Sequence, residues 1–221
     1  MRRILLISGL LLLVAAPLRA QDRPVNVILG GGVTFPFGDL SDSFNTGGHF
    51  DAGVAFQPSD NFGVEIDYQY HWMPGPERTF PNVGTAGSTL IESNHQMHVG
   101  LFDIIIRTPS TSPVAGYFMA GPGVYHRIVQ LTTPAVGFIT VCDPYWYVCF
   151  PTAVSTDQIV GDRSSTDFGF NFGAGVTFGG EARFFVEARY HYVWGDDFTG
   201  PGGTTVSSSA QYFPITFGIR F

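Results

Sequence analysis

Two stretches 122 positions apart carry the same eleven residue identities in the same order with the same gaps. The first reads Phe50, Ala52, Gly53, Val54, Phe56, then Phe62, Val64, Glu65, Tyr68, Tyr70, Trp72. The second reads Phe172, Ala174, Gly175, Val176, Phe178, then Phe184, Val186, Glu187, Tyr190, Tyr192, Trp194. A repeat of this kind names the unit from which a fold is built. Here the unit is a β-hairpin, two arms joined by five residues.

The second arm settles the strand assignment. Phe62, Val64, Ile66, Tyr68, Tyr70 and Trp72 alternate with Gly63, Glu65, Asp67, Gln69 and His71. Successive strand side chains point to opposite faces, so one face is apolar and the other polar. About eleven residues is the length with which a tilted strand crosses a bilayer. Phe at the turn end and Tyr and Trp at the far end supply the aromatic girdles of a transmembrane barrel.

The first twenty residues read as a removable leader. Arg2 and Arg3 precede an apolar run from Ile4 to Ala16, followed by Pro17 and Ala20. This is the layout of a secretory signal peptide over 1–20, leaving one domain over 21–221. All eleven basic residues are arginine, against eighteen acids. An acidic chain of this kind is not expected to bind nucleic acid, which needs a basic surface.

Eight strands are expected. They run over Val25 to Phe35, the first hairpin's two arms, Asn94 to Arg107, Val114 to Val129, the second hairpin's two arms, and Ala210 to Phe221. Odd-numbered connections are long, the longest being Leu131 to Ser164, and even-numbered ones are a handful of residues. Short turns at one end and long loops at the other are the habit of outer-membrane barrels. Pro122 and Pro214 fall inside strands, where each removes a ladder donor and predicts a bulge. Around Leu101 to Ile106 the alternation slips, and the face taken by Asp103 is open.

The last strand alternates Phe213, Ile215, Phe217, Ile219 and Phe221 with Pro214, Thr216, Gly218 and Arg220, and Phe221 is terminal. Here the chain resembles the small eight-stranded outer-membrane barrels, the OmpA transmembrane domain and OmpX-like proteins. The resemblance implies an all-β, closed, antiparallel up-and-down transmembrane barrel in a Gram-negative outer membrane. It also implies contact with membrane lipids and lipopolysaccharide. Delivery by periplasmic chaperones to the barrel-assembly machinery follows, with Phe217, Ile219 and Phe221 as the assembly signal.

A lipocalin is also exported and eight-stranded, but turns its apolar face inward around a ligand. The paired girdles, the terminal Phe and a polar face of glycines mixed with charges favour the membrane form. The bore of an eight-stranded barrel is only wide enough to be filled by side chains. Glu65, Asp67, Glu187, Arg127, Arg189 and Arg220 are therefore expected to form an internal charge network, lined by His71 and His191. A gated pore is the alternative use of the same residues.

Cys142 and Cys149 flank Tyr145, Trp146 and Tyr147 in the longest connection. In an exported chain the pair reads as a disulfide closing a short loop, worth roughly 2–3 kcal/mol. Two cysteines without a neighbouring ligand make a poor zinc site, and no metal or cofactor is expected. The pinched aromatic tip either packs on the barrel mouth or contacts a surface ligand. A lipopolysaccharide-modifying enzyme would need a serine, a histidine and a carboxylate converging. His95 and His98 lie three apart and face opposite ways, and no serine stands beside His71 or His191 on its strand. The expected role is therefore structural, or recognition through the outer loops, without enzymatic activity. A narrow pore is the second reading, and a lipid-modifying enzyme the third.

Overall fold

The computed structural model describes residues 25–81, 88–108, 114–143, 148–179, 183–196, 198–199, 205–206 and 208–221. The leader over 1–20 and Tyr145, Trp146 and Tyr147 lie outside the described residues.

Among the described residues the strands are β1 (Val25–Phe37), β2 (Gly47–Phe56), β3 (Phe62–Pro74), β4 (Arg78–Pro81), β5 (Ser88–Arg107) and β6 (Val114–Asp143). They continue with β7 (Val148–Gly179), β8 (Arg183–Val193), β9 (Phe198–Thr199), β10 (Thr205–Val206) and β11 (Ala210–Arg220). The sheet runs β3-β2-β1-β11-β8-β7-β6-β5, and β5 pairs back onto β3. Eight antiparallel strands thus close on themselves, leaving no open edge around the ring. A short 3-10 turn, Gly38–Leu40, follows β1 and brings Leu40 over the mouth. Past the end of β11, Phe221 exchanges backbone hydrogen bonds with Val27, donating to its carbonyl at 3.1 Å and accepting from its amide at 2.8 Å.

The faces fall as the alternation predicts. On β3, Ile66 is 62% exposed and the adjacent Asp67 2%. Phe102, Ile106, Phe118, Phe172 and Phe217 are likewise exposed on the outer wall. An apolar belt running right round a closed barrel has no place in water. It is a surface made for hydrocarbon, and the chain is a membrane-spanning β-barrel. Tyr70 lies against Trp72 and Tyr192 against Trp194 at the loop end of the belt. Phe178 stacks on Phe184 at the turn end.

The two copies of the repeat lie four barrel strands apart, on opposite walls. Their registers differ by two. Phe50 pairs Tyr70, whereas Phe172 pairs Tyr190, the counterpart of Tyr68. An even shift leaves every side chain on its own face, so both copies keep the same stripes.

Several expectations are corrected. The fourth barrel strand does not slip: Met97, Val99, Leu101, Asp103 and Ile105 are buried, while Phe102, Ile104 and Ile106 are exposed. No register shift occurs at Pro122 or Pro214. The ladder skips Phe102–Asp103 opposite Gly121–Pro122, and Phe213–Pro214 opposite β8, then resumes in the same register. The one irregularity in the β6–β7 ladder lies at Leu131/Thr132, where Val160 is the extra residue. The connection expected over Leu131 to Ser164 is largely strand. β6 and β7 remain paired as far as Asp143 and Val148, although β6 leaves β5 after Thr132 and β7 meets β8 only from Gly169. The result is a two-stranded ribbon reaching roughly 35 Å past the last β5 partner. Its Thr, Val and Ile residues are of the types that favour strand backbone.

Candidate functional site

The bore is layered. At the turn end Ile28, Ala55, Ile105, Tyr117, Met119 and Phe185 form one apolar cluster. At the loop end Leu40, Met73, Met97, Val99, Val193 and Ala210 belong to another, with Tyr125 and Tyr212. Between them sit the charges.

Arg189 is the hub. Its guanidinium reaches Asp67 at 2.8 Å, Glu65 at 3.0 Å, Asp103 at 3.0 Å and Glu187 on its own strand. All five side chains are essentially excluded from solvent. Asp67 and Arg189 occupy equivalent positions of the repeat, so the duplicated hairpins meet across the bore through this pair. Second partners hold the carboxylates. Tyr117 donates its hydroxyl to Glu187 at 2.7 Å, and Asn171 donates to Asp103 at 2.7 Å. Arg220 pairs Glu65 at 3.0 Å and lies over the Tyr117 and Phe185 rings. Gly53 is required beside this cluster, because a Cβ there would overlap the Asp67 carboxylate.

A histidine layer follows towards the loops. The Thr34 hydroxyl sits 3.1 Å from His49 Nδ1 and 2.8 Å from His71 Nδ1, and the Thr216 hydroxyl 2.9 Å from His49 Nε2. His71 Nε2 meets Gln69 at 3.1 Å, while His191 meets the Tyr125 hydroxyl at 3.0 Å and stacks on Tyr212. These imidazoles are buried within the bore.

Of the residues expected in one network, Glu65, Asp67, Glu187, Arg189 and Arg220 come together, and His71 and His191 line the next layer. Arg127 does not join them. It lies nearer the loops, pairs with Asp167 at 2.6 Å and donates to the Ser208 carbonyl at 2.7 Å. Shared inward parity could not reveal depth, and an arginine one layer higher finds its own acid. Asp103, Asp51, Asn171 and Tyr117 are among the interior polar residues that the expected network omits. Asp51 is fully buried with neither carboxylate oxygen bonded to a described residue. Phe217 lies on the outer wall, and Ile219 and Phe221 are partly covered at the turn end. The β6–β7 register sets Cys142 directly opposite Cys149. Among the described residues no group of three or more His, Cys, Asp or Glu is arranged to hold a metal ion.

Fold and bore together define a membrane-spanning, eight-stranded barrel with an ion-paired interior. No protein-family model matches the chain, and no curated protein matches it. Solved structures resemble it distantly. Neisserial surface protein A (NspA) shares 13% identity over 90% of this chain and 96% of that one, with a TM-score of 0.48. A major outer membrane protein of Thermus thermophilus shares 9% over 90% and 99%, with a TM-score of 0.49. Ail, the attachment invasion locus protein of Yersinia pestis, shares 13% over 89% and 97%, with a TM-score of 0.44.

Proposed function

We propose that the chain is exported by a leader over residues 1–20 and inserted into the outer membrane of a Gram-negative bacterium. There it serves as a non-catalytic surface-recognition barrel whose outer loops make the contacts. The observation that carries this reading is the β6–β7 ribbon, which continues for eleven residue positions of β6 past its last β5 partner. A bore packed with ion pairs between two apolar layers supports a scaffold in preference to a pore. The facing positions of Cys142 and Cys149 support a disulfide near the ribbon tip. Tyr145, Trp146 and Tyr147 are then the contact residues.

The test is to replace residues 134–157 by an Asn-Gly turn, a natural closure for paired strands. The shortened protein is expected to keep heat-modifiable migration, since the eight barrel strands are intact. Cells displaying it should lose attachment to an array of matrix proteins and glycans that the full-length chain binds. Equal attachment by the two proteins would refute the assignment to the ribbon.

A further inference from the structure

At the loop end, a cavity of about 310 Å³ opens between the outer parts of β5 and β6 and the segments that follow β1 and β3. Phe44, Pro76, Ile91, Val129 and Leu131 provide apolar walls, and Arg78 is the one charged residue lining it. Arg78 has no ion pair or hydrogen bond with any described residue. Phe44 forms part of the floor, packed on the apolar layer that closes the bore. Beneath it, 4.8 Å between ring centroids, lies His95, buried with neither ring nitrogen bonded to a described residue. Glu77, Glu92 and Asp157 line an adjoining cavity of about 750 Å³, which meets this one at Ser93. The smaller cavity therefore combines mostly apolar walls, interrupted by Ser43 and Ser93, with one solvent-exposed cation at its edge.

We propose that this cavity binds a free medium-chain carboxylate amphiphile. Its acyl chain lies against Phe44, Ile91, Val129 and Leu131, and its carboxylate meets Arg78. The walls favour a chain because apolar area leaves water. A guanidinium favours a carboxylate over a neutral or cationic head because its fork of donors matches two oxygens. Ligand pockets run from roughly 300 to 1,000 Å³, so this one admits a single short chain and excludes a multi-chain lipid. The apolar layer below makes it a binding site at the mouth, not the entrance to a conduit.

The experiment uses the full mature chain in lipid nanodiscs, titrated calorimetrically with decanoate, with decanol and decyltrimethylammonium as neutral and cationic controls. Empty nanodiscs give the partitioning background. One saturable decanoate site is expected above that background, weakened about tenfold in Arg78→Gln and lost in Val129→Trp, which fills the cavity. Ile91→Trp fills it from the neighbouring strand, and heat-modifiable migration shows which variants are folded. The proposal is overturned if decanoate uptake equals that of empty discs. It is equally overturned if decanol binds as tightly, or if binding survives both cavity-filling substitutions.

Discussion

Replacing Arg189 with methionine is expected to lower the unfolding free energy by about 3–5 kcal/mol or to prevent folding altogether. The substitution removes the ion pairs to Glu65, Asp67, Asp103 and Glu187 while leaving all four carboxylates in the bore. Only Arg220 then remains against Glu65 and Glu187. The large effect comes from the stranded charges, not from the worth of the pairs, because taking a charge out of water costs several kcal/mol unless a partner compensates. A second protein separates the two. With Arg189→Met combined with Glu65→Gln, Asp67→Asn, Asp103→Asn and Glu187→Gln, much of the lost stability should return. Urea unfolding in bilayers, followed by heat-modifiable migration, measures both. A loss below about 1 kcal/mol for Arg189→Met would mean that the bore is wet enough to solvate the acids.

The second large effect is on the outer wall. Ile66→Arg is expected to destabilise the inserted barrel by about 2–4 kcal/mol, the cost of an arginine at the bilayer midplane. Ile66 lies midway between Phe62 at the turn and Trp72 at the girdle, and it projects outward. The same change at Ser59, in the β2–β3 turn, should cost no more than about 0.5 kcal/mol. Were Ile66 facing water, the two arginines would be equally harmless, and the unfolding assay would read them alike.

Much of the architecture was legible because the repeat writes its stripes plainly. From Phe62 to Trp72 every outward residue is large and apolar, and every inward one is polar or glycine, so strand, face and length follow from period two alone. The inward acids of β3 and β8 were legible for the same reason. Asp103 was not, because β5 is apolar on both faces around it. Met97, Val99, Leu101 and Ile105 plug the bore while Phe102, Ile104 and Ile106 meet lipid, and the two stripes cannot be told apart by hydropathy. The apolar clusters packed within the bore were hidden by the same overlap.

The ribbon was missed for a different reason. Its residues carry Pro134, Gly137 and Pro151, ordinary marks of a loop. Backbone pairing between β6 and β7 holds it, and that information is not in one strand's pattern. Pro122 and Pro214 failed as bulge markers because a locally interrupted ladder can resume in register. Closure around the ring, with pairing on both sides of each strand, constrains such a gap more than the lost donor does.

The measurement that reaches the central claim most directly is spin-label accessibility in bilayers, on a chain with Cys142 and Cys149 replaced by serine. Labels are placed one at a time at Ile66, Phe102, Phe217 and Leu101. At the first three positions, relaxation is expected to respond to oxygen dissolved in the hydrocarbon and not to an aqueous nickel chelate. The label at Leu101, in the buried apolar cluster inside the barrel, should respond to neither. Strong nickel relaxation at Ile66, Phe102 and Phe217 would place the aromatic wall in water and contradict the membrane barrel.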